Sequence, residues 1–91
     1  MSRRPKSISP LPSRIREARE AIGLSQSRLG ELAGLDPSVA SARINQYERA
    51  VHEPKFQMVV RMAEALGVPT AYLYCQEDEM AEVILKHWRQ H

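Results

Sequence analysis

The stretch GLSQSRLGELAGLDPSVASARINQYERAVHE, residues 23–53, decides the fold. It carries two helix starts with a stop between them. Ser25 is the expected N-cap of the first helix, its hydroxyl accepting a backbone N–H that the first turn leaves unpaired. Leu24 before the cap and Leu29 inside the helix suit a hydrophobic staple. Leu29, Leu32 and Ala33 follow i, i+3, i+4 spacing and predict one buried face. Gly34 is the stop, and Asp36-Pro37 is a second start, an acidic N-cap followed by proline at the first helical position. From Pro37 a helix is expected to run to about Arg49. Ala40, Ile44 and Tyr47 share its inner side. Ser38, Asn45 and Arg49 fall opposite, Ser41 and Gln46 flank them with small Ala42 between, and Arg43 sits nearer the buried edge. Amides at such a face suit adenine edges and arginine suits guanine, so it has the chemistry of a DNA reader. A merely solvated helix face fits the same pattern.

The rest of the chain supports a small helical unit. Ninety-one residues allow one small domain. A single cysteine, Cys75, gives no intramolecular disulfide, and it reads as a buried or half-buried small residue in a reducing cytosol. His52, His87 and His91 are scattered, so metal binding is not expected, and no cofactor is implied. No stretch reaches transmembrane length and the N-terminus lacks the apolar core of a secretion signal, so a cytoplasmic protein is expected. Charge is uneven. Residues 1–55 hold ten basic and six acidic side chains, net +4, and residues 56–91 hold three and five, net −2. The basic half is the half with the two motif helices, a polarity suited to docking on phosphates.

Residues 1–10, MSRRPKSISP, are expected to be a disordered basic arm, either lying along DNA or simply frayed. A helix should begin near Leu11, with Leu11, Ile15, Ala18 and Ile22 as its buried face and Gly23 closing it. After the loop VHEPK, a helix ending at Gly67 has Phe56, Val59, Val60, Met62, Ala63 and Leu66 as a broad apolar stripe. Pro69 and residues 70–74 predict a short fifth helix, with Val68, Tyr72 and Leu73 in the core or at its rim. The acidic break 76–79 suits another helix start. Met80, Val83, Ile84, His87 and Trp88 then recur at i, i+3, i+4, i+7, i+8 and predict a sixth, amphipathic helix. That stripe must be covered by its own domain or by a second subunit.

LSQSRLGELAGL, then INQYERA, then a proline and VVRMAEALGV closely resemble the helix-turn-helix family of the phage Cro and C1 repressors, also called the XRE family. The resemblance spans about residues 14–74. It implies an all-α, five-helix lambda-repressor-like DNA-binding domain over 11–75, with residues 76–91 as an extra C-terminal amphipathic helix. It implies a transcriptional regulator, not an enzyme, that binds double-stranded DNA as a homodimer on a palindromic operator, with repression favoured. It also implies an ion pair between Arg19 and Glu48 that locks the first helix to the recognition helix. Base contacts are expected from Ser38, Ser41, Ala42, Arg43, Asn45 and Gln46. Phosphate contacts are expected from Arg19, Ser25, Gln26, Arg28, Tyr47, Arg49 and Lys55. In related repressors the last loop and helix meet their twin, which carries over to Val68, Pro69 and Tyr72. The sixth helix would extend that interface through Met80, Val83, Ile84, His87 and Trp88. Two departures stand out. About four residues usually separate the second cap from the isoleucine matched by Ile44, and here there are eight, read as one added turn at the start of the recognition helix. Ala50 takes the place of a usual glycine, so that helix is expected to end differently. Two rival readings share much of this pattern: an antitoxin whose last helix binds a toxin, and a helical adapter that binds no DNA.

Overall fold

The computed structural model describes residues 9–90 as six helices, and no strand occurs among them. They are α1 (Leu11–Ala21), α2 (Gln26–Leu32), α3 (Pro37–Glu48), α4 (Phe56–Leu66), α5 (Thr70–Tyr74) and α6 (Asp78–Gln90). The expected basic arm lies outside the described residues except for Ser9 and Pro10. These two belong to the entry of α1: the Ser9 hydroxyl accepts the Leu11 N–H at 3.1 Å and Pro10 is the buried N-cap.

The caps follow the sequence signals. The Ser25 hydroxyl accepts the Arg28 N–H at 3.0 Å. Asp36 accepts the Ser38 N–H at 2.9 Å, with Pro37 at the first helical position. Gly67 takes the left-handed conformation, φ +72°, that ends α4 and turns the chain into α5. The helix of α3 is continuous from Pro37, so the four extra residues extend it by a turn rather than lengthen the loop.

One core joins all six helices. Ile15, Leu29, Ile44, Val59, Met62 and Leu73 are fully buried at its centre. Ala81 and Leu85 of α6 belong to the same cluster, so the core is not finished at the fifth helix. The sixth helix covers itself in part: Ala81 and Leu85 go in, Ile84 is half-buried, and Met80, Val83 and Trp88 stay half exposed or more. The buried arc is therefore rotated from the expected stripe. Val68 and Tyr72 are interior side chains, and neither offers the surface to a second subunit that the resemblance implied.

Three more expected core residues are outside. Ile22 follows the last turn of α1 and is 54% exposed, and Leu32 is 48% exposed at the end of α2. Phe56, at the first turn of α4, is 60% exposed and stacks on Tyr74, their ring centroids 6.4 Å apart. Arg14 takes the fourth inward place on α1 instead. Its Nε donates to the Cys75 carbonyl and its NH2 to Asp78, each at 3.0 Å, and its guanidinium lies 5.5 Å from the Tyr72 ring centroid. A buried arginine is tolerable when every side of it meets an acceptor or a π face. This one fastens α1 to the α5–α6 junction. Burial and the nearby Glu17 push the Tyr72 phenol above its ordinary pKa, opposed by Arg14.

Candidate nucleic-acid interface

The site is α3 and the elements that hold it. Two contacts fix its position. At the N-terminal end, Ala40 is fully buried against Gly30 of α2. A methyl placed on Gly30 would lie 2.7 Å from the Ala40 Cβ and 2.9 Å from its carbonyl oxygen, so the two backbones approach as closely as they do only because Gly30 has no side chain.

At the C-terminal end Arg19 grips Glu48. Arg19 Nε donates to Glu48 Oε2 at 2.6 Å and its NH2 to Oε1 at 3.0 Å, while NH1 donates to the Leu24 carbonyl at 2.8 Å. Gln26 Nε2 donates to Glu48 Oε1 at 3.1 Å. The Glu48 side chain is 4% exposed and that of Arg19 13%. The carboxylate bond raises the Arg19 pKa above the ordinary arginine value and outweighs the opposing effect of burial. One carboxylate thus gathers α1, the start of α2 and the end of α3. Gln26, expected at a phosphate, spends one amide hydrogen on this junction.

Between these anchors α3 presents its outward row. Ser38, Ser41 and Ala42 are exposed, and Asn45 and Gln46 are half-buried beside them. The Ser38 hydroxyl donates to Asp36 at 2.6 Å, so its hydrogen is committed to the cap. That bond and the Ser38 N–H hold the Asp36 carboxyl below the ordinary aspartate value of 3.8. Arg43 is placed away from the row. It lines a groove beside α3 with Tyr47, Lys55 and Arg61. Arg61 is not among the residues expected from the sequence. A basic residue six positions after Lys55, on the helix following the motif, was the available signal.

The remaining expected contacts are spread around these. Ser25 and Arg28 are exposed at the start of α2, with Arg28 beside Glu31 at 3.7 Å. Arg49 and Lys55 are exposed past the end of α3. Tyr47 is buried, its ring tilted on that of His52 at 6.4 Å. The turn after α3 keeps a left-handed residue although glycine is missing: Ala50 has φ +61°. The departure at this position therefore changes strain rather than path.

No group of His, Cys, Asp and Glu able to hold a metal occurs among the described residues, and no helix there is long and apolar enough to cross a membrane. A family model described as helix-turn-helix matches residues 15–73. The chain belongs to that family, in its Cro/C1 or XRE type, with a lambda-repressor-like fold, and is a DNA-binding transcription regulator. The crystal structure of transcriptional regulator BswR is similar, at 51% identity and a TM-score of 0.81, over 86% of this chain and 77% of that one. No curated protein matches.

Proposed function

We propose that the protein binds a palindromic operator as a dimer, reads it with α3 in successive major grooves, and represses the adjoining promoter. The observation that carries this reading is the contrast along α3. Its inner side is immobilised at Gly30 and Glu48, while its outer row is small or amide-bearing and open to a partner. A rigid helix with short polar side chains outward can approach base edges without rearrangement.

In this reading Gln46, Asn45, Ser41 and Ala42 meet bases, with Ser38 contributing an acceptor oxygen. Arg49 and Lys55 meet phosphates, joined by Arg28, Arg43 and Arg61. Half-sites would lie about 34–36 Å apart, one turn of DNA. Selection from a random duplex pool by the full chain at fixed salt tests the proposal. An enriched inverted repeat is expected. A monopartite site would remove the dimeric operator, and failure to enrich any sequence would remove sequence-specific reading.

A further inference from the structure

The C-terminal half of α1, the turn after α4 and the second half of α6 surround a cavity of about 180 Å³, and no residue of α3 lines it. Its wall is aliphatic: Ala18, Ile22, Leu66, Val68 and Leu85. Four of these belong to the core yet keep 4–8% of their surface exposed, where Ile15, Ile44 and Leu73 keep none. The fifth, Ile22, is the apolar side chain left 54% exposed where α1 ends. Here the core opens to the surface. The space suits one small molecule, since an apolar cavity of about 150 Å³ holds benzene. Trp88 closes the neighbouring side of α6, its Nε1 donating to the Gly67 carbonyl at 2.8 Å, so the last turns of that helix are held over the cavity.

Two charges line the cavity from different helices, Glu17 on α1 and Arg89 on α6. Both side chains lie at the surface, and they do not pair with each other. Arg89 has no ion-pair partner among the described residues. Glu17 turns Oε1 toward Arg14 NH1 at 3.5 Å, and its Oε2 meets no cation there. Sites for small ligands have this form, an apolar wall with a few placed polar groups. Unlike charges held apart over an aliphatic wall complement a molecule that carries both charges on an apolar body. A plain carboxylic acid would satisfy Arg89 and set its own charge against Glu17. A plain amine would satisfy Glu17 and leave Arg89 alone. A guanidinium receives a carboxylate through two parallel hydrogen bonds, and a carboxylate receives an ammonium.

We propose that this cavity binds a free α-amino acid with a branched aliphatic side chain, its carboxylate on Arg89, its ammonium on Glu17 and its side chain against Ile22 and Leu85. The ligand bridges α1 to α6. Glu17 and Ala21, which both line the cavity, each stand two residues from Arg19, about 160° away around α1. The cavity therefore opens away from the Arg19–Glu48 junction, and a ligand there does not compete with DNA on α3.

Isothermal titration calorimetry of the full chain with L-leucine, in the absence of DNA, tests the proposal, and its failure leaves the operator reading untouched. One L-leucine per chain should bind, with a dissociation constant of roughly 0.1 mM. The two halves of the molecule, 4-methylpentanoate without the ammonium and 3-methylbutylamine without the carboxylate, should each bind about tenfold more weakly or less. Arg89→Gln, at an exposed position, should weaken L-leucine about tenfold and leave 3-methylbutylamine unchanged, because the amine has no carboxylate to lose. Ala21→Leu fills the cavity from its rim and should abolish binding. Circular dichroism verifies that both variants stay helical. Absence of L-leucine binding at about 10 mM, a hundred times the expected constant, overturns the proposal. So does an affinity that either variant leaves unchanged, or one that 4-methylpentanoate or 3-methylbutylamine equals.

Discussion

Gly30→Ala separates two arguments that disagree in sign. By helix propensity alone, replacing a mid-helix glycine with alanine stabilises by about 0.8–1 kcal/mol. By packing it destabilises. The new methyl would sit 2.7 Å from the Ala40 Cβ, 2.9 Å from its carbonyl oxygen and 3.0 Å from its Cα, where ordinary carbon contacts are about 3.5–4.0 Å. Two of those three atoms are backbone, so no side chain can swing clear. Relief requires α2 and α3 to part by about 0.5–1 Å, which forfeits a quarter to a half of the dispersion energy of neighbouring contacts. Overpacking of this kind costs about 1–3 kcal/mol. With backbone atoms in two of the three contacts the cost falls in the upper part of that range, about 2–3 kcal/mol, and after the propensity gain the expected net loss is about 1–2 kcal/mol.

Urea unfolding followed by circular dichroism measures that difference, and in a domain of this size it corresponds to a fall in Tm of roughly 4–16 °C. Ala40→Gly in the same background removes the closest of the three contacts. Ala40→Gly carries a helix-propensity cost of its own, but Gly30→Ala should be less damaging in the Ala40→Gly background than in the parent, a coupling energy of about 1 kcal/mol between the two sites. Equal or greater stability of Gly30→Ala would refute the close approach of α2 and α3. Independent effects at the two positions would refute Ala40 as its cause.

Other perturbations test the remaining anchors and the reading face. Glu48→Ala should cost about 2–3 kcal/mol in urea unfolding, somewhat less than a fully enclosed pair because the Arg19 guanidinium keeps a solvent edge. Ala50→Gly should stabilise by about 0.5–1 kcal/mol in the same assay, since the left-handed turn at φ +61° strains alanine and not glycine. The Asp36 cap should loosen in acid. Its folded pKa lies below 3.8, so its contribution is fully present above the unfolded value and is lost as pH falls through the lower folded one; an NMR titration of the Ser38 amide should show this, and Asp36→Asn should abolish it. In binding assays on the selected operator, Gln46→Ala should lose about 1–3 kcal/mol and relax preference at one base pair. Arg49→Ala should weaken cognate and random DNA alike and flatten the salt dependence.

The legible part of this fold was the part written in caps. Ser25, Asp36-Pro37 and Gly67 mark ends by satisfying or relieving particular backbone groups, so each points to one position. Periodicity was weaker evidence. It showed that α6 is amphipathic, yet Ala81 and Leu85 are its buried pair, because a small alanine lets the helix approach α5 where the larger Met80 and Val83 would hold it off. Ile22, Leu32 and Phe56 each sit at a helix end, where the apolar stripe runs past the element that would cover it. Arg14 was illegible for a different reason. Its partners are 61 and 64 residues away, and nothing local marks a cation as buried. The pair Arg19–Glu48, 29 residues apart, came from family resemblance and not from spacing.

The extra turn of α3 and the glycine of α2 are best understood together. Ser25 to Leu32 reads as an ordinary short helix, and Gly30 in its middle has no local justification: its backbone is helical and its neighbours need no left-handed turn. The justification is Ala40, which lies in the segment by which α3 exceeds the usual family length. Had the added turn projected past α2, Ala40 would be solvated and any residue would serve at position 30. Instead Ala40 is fully buried, and the backbone of α3 passes within a methyl's reach of α2. The extension is thus seated rather than appended, and its seat requires a small residue on both sides. That seat also fixes where the row from Ser38 to Ala42 faces, since the added turn cannot rotate about a contact made by backbone atoms. Gly30→Ala should therefore impair the base contacts proposed for Ser38 and Ser41 more than the one proposed for Gln46. Binding to operators varied one position at a time would show a changed preference at the bases assigned to Ser38 and Ser41, and an unchanged one at the base assigned to Gln46.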